Sequence, residues 1–183
     1  GNGGSFNPDV SQDGKFVVFE SQASNLLEGD DVNSASDIFL YSVADGNMTR
    51  LSQNGDAPSL GGNLNSFTPS ISSDGKRVVF GSYATNLVDE NGDWDFSNDD
   101  TNNAADVFLN VIDDTNDSIV GLYRVSRTYS FASYGQTNDS SFEPAISGDG
   151  TKVAFHSKAS NVPSGVGILS FTPKASISRR SLK

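Results

Sequence analysis

The stretch SFTPSISSDGKRVVFGSYATNL, from Ser66 to Leu87, indicates the fold because the chain contains two further variants of it. An earlier copy, SFNPDVSQDGKFVVFESQASNL, begins at Ser5, and a later copy, SFEPAISGDGTKVAFHSKASNV, begins at Ser141. The copies therefore start 61 and 75 residues apart. A repeat of this kind is one structural unit that stacks on its neighbours to bury a shared core.

Each copy reads as two strands joined by a tight turn. An Asp-Gly dipeptide between two apolar runs is a strong hairpin signal, and it recurs at Asp13, Asp74 and Asp149. In the strand after the turn both faces are apolar, so we expect these strands to be buried on both sides. The residues concerned are Val17, Phe19 and Val18 in the first copy, Val78, Phe80 and Val79 in the second, and Val153, Phe155 and Ala154 in the third.

Further strands complete each unit. Third strands are predicted over residues 37–43 and 106–112, and fourth strands over 48–52 and 122–126. Four-stranded antiparallel sheets stacked around an axis form a β-propeller. We therefore predict an all-β fold, a partial propeller of about two and a half to three blades. Residues 1–171 form the repeat domain, with units at about 5–65, 66–140 and 141–171.

The third unit is shorter than the others. It has no acidic loop after its second strand, and VGILSF, residues 166–171, is the candidate for its third strand. The remaining residues, 172–183, form a basic tail that matches no repeat position.

The repeat resembles a known type. PSISSDGKRVVFGSYATNL, followed by DDTNNAADVFL and YRVS, is similar to the WD40-like propeller repeat of the TolB/PD40 type, over roughly residues 5–162. The resemblance implies a β-propeller and a bacterial protein that is secreted, periplasmic or at the cell surface. It implies no particular activity, because propellers host many functions.

Charge and composition exclude several function classes. The chain has 12 Lys and Arg against 23 Asp and Glu, a net charge of -11. So acidic a body repels phosphate backbones and attracts cations, so nucleic acid is not an expected partner. Without cysteine there are no disulfides or thiolate metal sites, and no apolar run approaches the roughly 20 residues needed to insert in a membrane.

Two acidic loops are candidate calcium sites. Asp31, Asn33 and Asp37 of the first unit align with Asp100, Asn102 and Asp106 of the second. Calcium binds six to eight oxygens from carboxylates, amide and backbone carbonyls, and water, and the resemblance is compatible with calcium at this place. The alternative is turn chemistry alone, because Asp and Asn side chains accept hydrogen bonds from nearby backbone amides.

An insertion in the second unit adds another candidate. Its oxygen-bearing residues alternate as in the first half of a calcium loop; the alternative is a solvated acidic excursion. The single tryptophan, Trp94, either packs the insertion down or contacts a sugar. The candidate ligands are Asp89, Asn91, Asp93 and Asp95.

Signals for catalysis are weak, and no catalytic residue is assigned. His156, the only histidine, occupies the repeat position of Glu20 and Gly81, a poor place for a catalytic base. The repeated phenylalanines are interpreted as core: Phe6, Phe67, Phe142, Phe39 and Phe108. The sequence favours a calcium-stabilised binding or scaffold module with a protein or glycan partner. The rival is a carbohydrate-active hydrolase that uses loop carboxylates.

An arc of this size cannot close on itself, since propellers typically have about four to eight blades. We expect bare apolar faces at its ends, with Val18 and Ala154 among the exposed residues. Two copies could then complete a ring of about six blades. Alternatively the chain is cut from a longer propeller, as its start without Met suggests, or the tail covers the open end.

Overall fold

A computed structural model describes residues 1–28, 33–55, 57, 59–88, 100–113, 118–128 and 136–162, and the backbone of 166–170. Its strands form three separate sheets. The first sheet holds β1 (Ser5–Val10), β2 (Phe16–Ser21), β3 (Asp37–Ser42) and β4 (Met48–Arg50). The second holds β5 (Ser66–Ile71), β6 (Arg77–Ser82), β7 (Asp106–Ile112) and β8 (Ile119–Arg124). The third holds β9 (Ser141–Ile146), β10 (Lys152–Ser157) and β11 (Val166–Ser170).

Within each sheet, successive strands are antiparallel neighbours. The second sheet repeats the register of the first, with Phe80 opposite Phe108 as Phe19 is opposite Phe39. β11 pairs with β10, so the predicted third strand of the short unit is confirmed. The predicted all-β partial propeller is confirmed, with two four-stranded sheets and one three-stranded sheet.

The Asp-Gly turns form for a local reason. The glycines at this position have positive φ, 71° at Gly14 and 67° at Gly150, which glycine adopts without steric cost. The preceding aspartate accepts hydrogen bonds across the turn, as Asp13 does from the Lys15 amide at 3.1 Å. Hydrogen bonds from Lys15 hold the pKa of Asp13 at about 2.

The three sheets stack face to face, and their first strands meet at one side. β1 contacts β5, and β5 contacts β9, which places the inner edges of the sheets next to one another at the propeller axis. One apolar cluster lies between the first and second sheets, and a smaller one lies between the second and third. Members of the larger cluster include Val18, Leu40, Val78, Phe80 and Phe108; members of the smaller include Val79, Val107, Leu109, Val153 and Phe155.

The expectation of strands buried on both sides is correct only for the second sheet. In β6, Val79 and Phe80 are both 0% exposed. In β2, Phe19 is partly exposed, and in β10, Ala154 is exposed. The end sheets have a neighbour on one side only. The expectation that Val18 lies on a bare face is wrong. Val18 is fully buried against the second sheet.

The prediction that the repeated phenylalanines lie in the core is correct for two of them and wrong for three. Phe39 and Phe108 are 0% and 1% exposed, as predicted. Phe6 is 49% exposed, and Phe67 and Phe142 are partly exposed, so their assignment to the core is wrong. These three residues lie on β1, β5 and β9, the edge strands at the axis, where no further strand covers them.

Within the described ranges, no helix has the length and apolar character needed to cross a membrane.

Candidate functional site: the cleft at the propeller axis

The three axial strands share the sequence Ser-Phe-x-Pro and an unusual backbone. The residue before each proline has positive φ, 50° at Asn7, 46° at Thr68 and 53° at Glu143. Positive φ is uncommon outside glycine, and for a β-branched residue such as Thr68 it is an outlier. The strand register shifts at the same place in each sheet. Such bulges re-aim side chains and are frequent beside functional sites.

A shallow cleft of about 370 Å³ joins these three segments. Three prolines give it apolar walls, and neighbouring side chains supply hydroxyl, amide and carboxylate groups. The Thr68 hydroxyl oxygen is buried and has no hydrogen-bond partner among the described residues. The lining residues are Asn7, Pro8, Asp9, Thr68, Pro69, Ser70, Glu143 and Pro144.

Carboxylates at the cleft tie neighbouring sheets together. Glu20 Oε2 accepts a hydrogen bond from Asn7 Nδ2 at 2.9 Å within its own sheet, and from the Thr68 amide of the next sheet at 3.4 Å. Asp9 Oδ2 accepts from the Ile71 amide at 3.0 Å, again across the two sheets. These carboxylates therefore position the axial strands and also give the cleft negative charge.

The third sheet contributes a charged and aromatic group. His156 Nδ1 lies 2.8 Å from Glu143 Oε2, and both side chains are more than half exposed. The His156 ring meets Phe142 edge-on at 6.0 Å, and Lys158 Nζ lies 5.5 Å from the centre of the Phe142 ring. His156 therefore pairs with a surface carboxylate that lines the cleft.

The predicted metal ligands of the first loop surround a buried ion pair. Asp37 is 1% exposed; its Oδ1 accepts a hydrogen bond from Ser52 Oγ at 2.6 Å, and its Oδ2 lies 3.3 Å from Arg50 Nε. Asn33 Nδ2 lies 3.4 Å from Asp37 Oδ2, and Asn33 Oδ1 accepts from the Ala35 amide at 2.8 Å. The structure thus brings Asn33 and Asp37 together. Asp31 lies outside the described residues.

The second loop repeats this arrangement. Asp106 Oδ1 accepts from Ser126 Oγ at 2.6 Å, and its Oδ2 lies 3.3 Å from Arg124 Nε. Burial raises the pKa of Asp106 to about 6, against the lowering effect of Arg124 and with a further raising effect from Asp100. Burial also raises the pKa of Asp100.

Asn102 links the parts of the second loop. The side-chain Nδ2 of Asn102 donates to the Thr137 carbonyl at 2.7 Å, and its Oδ1 accepts from the Ala104 amide at 2.7 Å. The backbone amide of Asn102 donates to Asp100 Oδ1 at 3.2 Å. Asp100 and Asn102 are thus linked directly, and Thr137 connects Asn102 to Asp106, because its Oγ1 donates to Asp106 Oδ1 at 3.3 Å.

These contacts agree with the turn-chemistry interpretation. The side-chain oxygens of Asn33 and Asn102 accept backbone amides, and each buried aspartate faces an arginine. Among the described residues, no three His, Asp or Glu side chains cluster closely enough to hold a metal. The insertion candidates Asp89, Asn91, Asp93 and Asp95, with Trp94, lie outside the described residues. Calcium binding stays a prediction.

Sequence reasoning missed the arginine and serine partners. Arg50 and Ser52 recur as Arg124 and Ser126, at matching positions behind each acidic loop. Each arginine also lies over a core ring, with Arg50 Cζ 5.7 Å from the centre of Phe39. Their repetition in step with the aspartates was the available signal, because co-repeating opposite charges indicate a shared contact.

A second missed feature is a polar clasp at the start of each blade. Asn2 Nδ2 donates to Ser24 Oγ, and Asn2 Oδ1 accepts from the Ser24 amide, both at 2.9 Å. The Asn2 amide donates to Asn25 Oδ1 at 2.9 Å. The same three hydrogen bonds form around Asn63 and Asn138. We call these the three asparagine clasps.

Comparison of the sequence with known proteins assigns no family, since neither a family model nor a curated protein matches the chain. Solved structures do match. The chain is similar to a protein assigned as TolB from Agrobacterium tumefaciens, with 19% identity, a TM-score of 0.44, and coverage of 87% of this chain and 40% of that one. TolB from Acinetobacter baumannii matches at 16% identity and a TM-score of 0.31, covering 92% and 44%.

An acylaminoacyl peptidase from Pyrococcus horikoshii matches at 12% identity and a TM-score of 0.38, covering 82% of this chain and 20% of that one. The chain thus spans less than half the length of each of these structures. Similarity this low says nothing about activity. It concerns the fold, which the three stacked sheets establish by themselves. The chain is a partial β-propeller of three stacked antiparallel sheets.

Proposed function

We propose that the chain is a non-enzymatic binding module whose axial cleft takes a peptide segment with basic and apolar side chains. The supporting observation is the threefold recurrence of a bulged Ser-Phe-x-Pro segment around one cleft. A positive-φ residue costs free energy, on the order of 1–3 kcal/mol. The positive-φ residue recurs in three sheets, each time next to a partly exposed phenylalanine. A costly backbone conformation that recurs in this way is expected at a binding surface.

Charge favours a peptide over a glycan. Asp9, Glu20 and Glu143 lie at the cleft, and the whole chain carries a net charge of -11. Complementary charge raises association rates and excludes wrong partners. A peptide with Lys or Arg gains from this field, whereas a neutral sugar does not. Pro8, Pro69 and Pro144 offer apolar contact to the rest of the segment.

We further propose that the chain binds calcium and that it is located outside the cytoplasm. Calcium is supported by the aligned oxygen donors of the two acidic loops and by the acidity of the chain. A secreted, periplasmic or cell-surface location rests on the resemblance of the repeat. In this form, bound ions neutralise the loop carboxylates and hold the loops rigid.

The test is a selection of peptides from a random displayed library against the full chain. We expect enriched sequences to combine Lys or Arg with apolar residues. Calorimetry should show binding that weakens at least tenfold in Asp9→Asn/Glu143→Gln and falls steeply with salt. Tyr123→Ala is the matched control, because Tyr123 is 41% exposed on the outer strand β8.

Three outcomes would overturn the proposal. Enriched peptides without basic residues would contradict the charge argument. Unchanged affinity in the cleft variant would place the binding site elsewhere. Binding to a glycan array, with no peptide enriched, would assign the cleft to sugars.

A further inference from the structure

One polar group of the axial cleft has no protein partner. Thr68 lines the cleft, its hydroxyl oxygen is buried, and no described residue forms a hydrogen bond with it. Buried polar groups of folded proteins almost always have a hydrogen-bond partner, because an unpartnered one is destabilising. The position of Thr68 in the cleft lining makes a ligand the natural candidate for the missing partner.

The same repeat position is engaged in the other two sheets. Asn7 Nδ2 donates to Glu20 Oε2 at 2.9 Å, and Glu143 Oε2 lies 2.8 Å from His156 Nδ1. Glu20 and His156 share one position on the second strand of their sheets, opposite the repeated phenylalanine. The side chain before each of these two prolines is therefore held by the neighbouring strand.

In the second sheet the holding side chain is missing. The position opposite Phe67 is Gly81, and the Phe67 ring lies so close to it that a Cβ atom there would collide with the ring. The Thr68 backbone amide is already used, since it donates to Glu20 Oε2 at 3.4 Å. The hydroxyl of Thr68 is thus left for a group from outside the chain.

The backbone at Thr68 is a second costly feature. Its φ is 46°, which is an outlier for a β-branched residue. Strained residues of this kind concentrate at ligand-binding sites, where the surrounding fold holds them in place. Two destabilising features in one cleft residue are expected where that residue contacts a ligand.

The groups around Thr68 define the chemistry of the missing partner. The second sheet lies between the other two, so Thr68 lies between Asp9 of the first sheet and Glu143 of the third. Ionised carboxylates only accept hydrogen bonds, and proline has no N–H to donate. The ligand group must therefore bring both positive charge and donors.

An ammonium group fits this set better than a guanidinium group. An ammonium is compact and has three donors that point in different directions, and the cleft offers one acceptor side chain from each of three sheets. A guanidinium is a planar fork that suits two parallel bonds to one carboxylate. Acceptors that come from three separate strands do not match that fork.

We propose that Thr68 is the specificity-determining residue of the axial cleft, and that its hydroxyl accepts a hydrogen bond from a ligand ammonium group flanked by Asp9 and Glu143. This assignment rests on the proposed peptide binding, and it narrows the basic residue of the peptide to lysine. Threonine side chains occupy several staggered rotamers, so the hydroxyl can turn toward the ammonium without a change in the main chain.

The experiment is an NMR titration of the full chain with n-butylammonium chloride, which carries the head group of lysine. The comparison probes are n-butylguanidinium chloride, with the head group of arginine, and uncharged n-butanol, all at one ionic strength. We expect a saturable shift of the Thr68 amide signal with n-butylammonium. Binding of n-butylguanidinium should be at least fivefold weaker, and n-butanol should give no saturable shift.

Thr68→Val removes the hydroxyl with little change in shape. It should weaken n-butylammonium binding at least fivefold and leave n-butylguanidinium binding unchanged, and Thr68→Ser should restore the difference. The urea midpoint of Thr68→Val should be unchanged or higher, because an apolar group replaces an unpartnered hydroxyl. A merely structural hydroxyl would lower that midpoint when removed.

Thr85→Val is the matched control. The Thr85 hydroxyl accepts a hydrogen bond from Asn63 Nδ2 at 2.8 Å in one of the asparagine clasps, away from the cleft lining. This variant should bind n-butylammonium as the wild type does and should have a lower urea midpoint.

Equal binding of the two cations to the wild type would overturn the assignment, and this comparison holds even if Thr68→Val does not fold. Binding that is lost in Asp9→Asn/Glu143→Gln but unchanged in Thr68→Val would keep the acidic cleft and reject the role of Thr68. If n-butylammonium gives no saturable shift, the assignment fails, whereas the peptide selection tests the proposed function separately.

Discussion

The second sheet and the two end sheets share a repeated sequence, but their residues differ greatly in burial. Val78 and Phe80 are 0% exposed, yet Val17 and Phe19 at the same positions of the first sheet are partly exposed. On the other face, Val79 is fully buried. A repeat position therefore does not by itself determine burial. The number of neighbouring sheets determines it, and the energetic weight of a residue follows from that number.

The largest expected effect comes from truncating one phenylalanine at a time. Phe80→Ala should lower the free energy of unfolding by about 3–5 kcal/mol, because it removes a fully buried ring between two sheets. Phe19→Ala should cost less than half as much at low protein concentration, because one side of its ring faces solvent. Urea denaturation measures both. Equal losses would contradict an energetic difference that follows from the burial of Phe80 and the partial exposure of Phe19.

A pH titration sharpens the comparison at the buried aspartate of the second sheet. The pKa of Asp106 is about 6 in the folded chain, against 3.8 as its ordinary value. Between these values the folded state holds the proton more tightly than the unfolded state. The free energy of unfolding should therefore fall as pH rises from about 4 to 6, by on the order of 3 kcal/mol.

Urea denaturation at several pH values would measure this slope, and Asp106→Asn should remove it. Asp149→Asn is the control. Hydrogen bonds led by that from Ser147 hold the pKa of Asp149 at about 2, so its contribution is lost only as pH falls below about 4. A slope that survives in Asp106→Asn would assign the titration to another group.

Calcium is expected to bind only in the first two blades, because the third blade has no acidic loop. At ten times the dissociation constant, a single site should stabilise the folded chain by about 1.4 kcal/mol. We expect the melting temperature to rise by a few degrees in millimolar calcium relative to chelator, and the rise to shrink in Asp31→Asn/Asp100→Asn. Asp74→Asn, in a turn on the opposite side of its sheet, is the control. Superimposable melting curves with calcium and chelator would refute the site.

The smallest effect should be the same in all three blades. Each asparagine clasp is exposed and lies within one blade, so its energy does not depend on neighbouring sheets. Asn2→Ala, Asn63→Ala and Asn138→Ala should each cost about 1 kcal/mol in urea denaturation. A cost at Asn63 several times that at the other two would mean that the clasps also depend on blade stacking.

The local structure of this protein follows from short-range patterns in its sequence. Alternation of apolar residues, the Asp-Gly turns and the threefold repeat are enough to place the strands, because each reflects geometry within a few residues. They predicted the two complete sheets, the shortened third one and the strand at 166–170. They also located the two acidic loops, whose aspartates the structure places beside buried arginines.

Which faces are covered, and where a site forms, depend on how the sheets stack in three dimensions. Phe6 and Phe39 are both phenylalanines in strands of the first sheet. Phe6 is nevertheless 49% exposed, whereas Phe39 is buried. The difference depends on sheet order and on contacts with residues some 60 positions away along the chain, as between Asp9 and Ile71. The axial cleft arises in the same way, because three segments far apart in sequence meet only when the sheets stack around one axis.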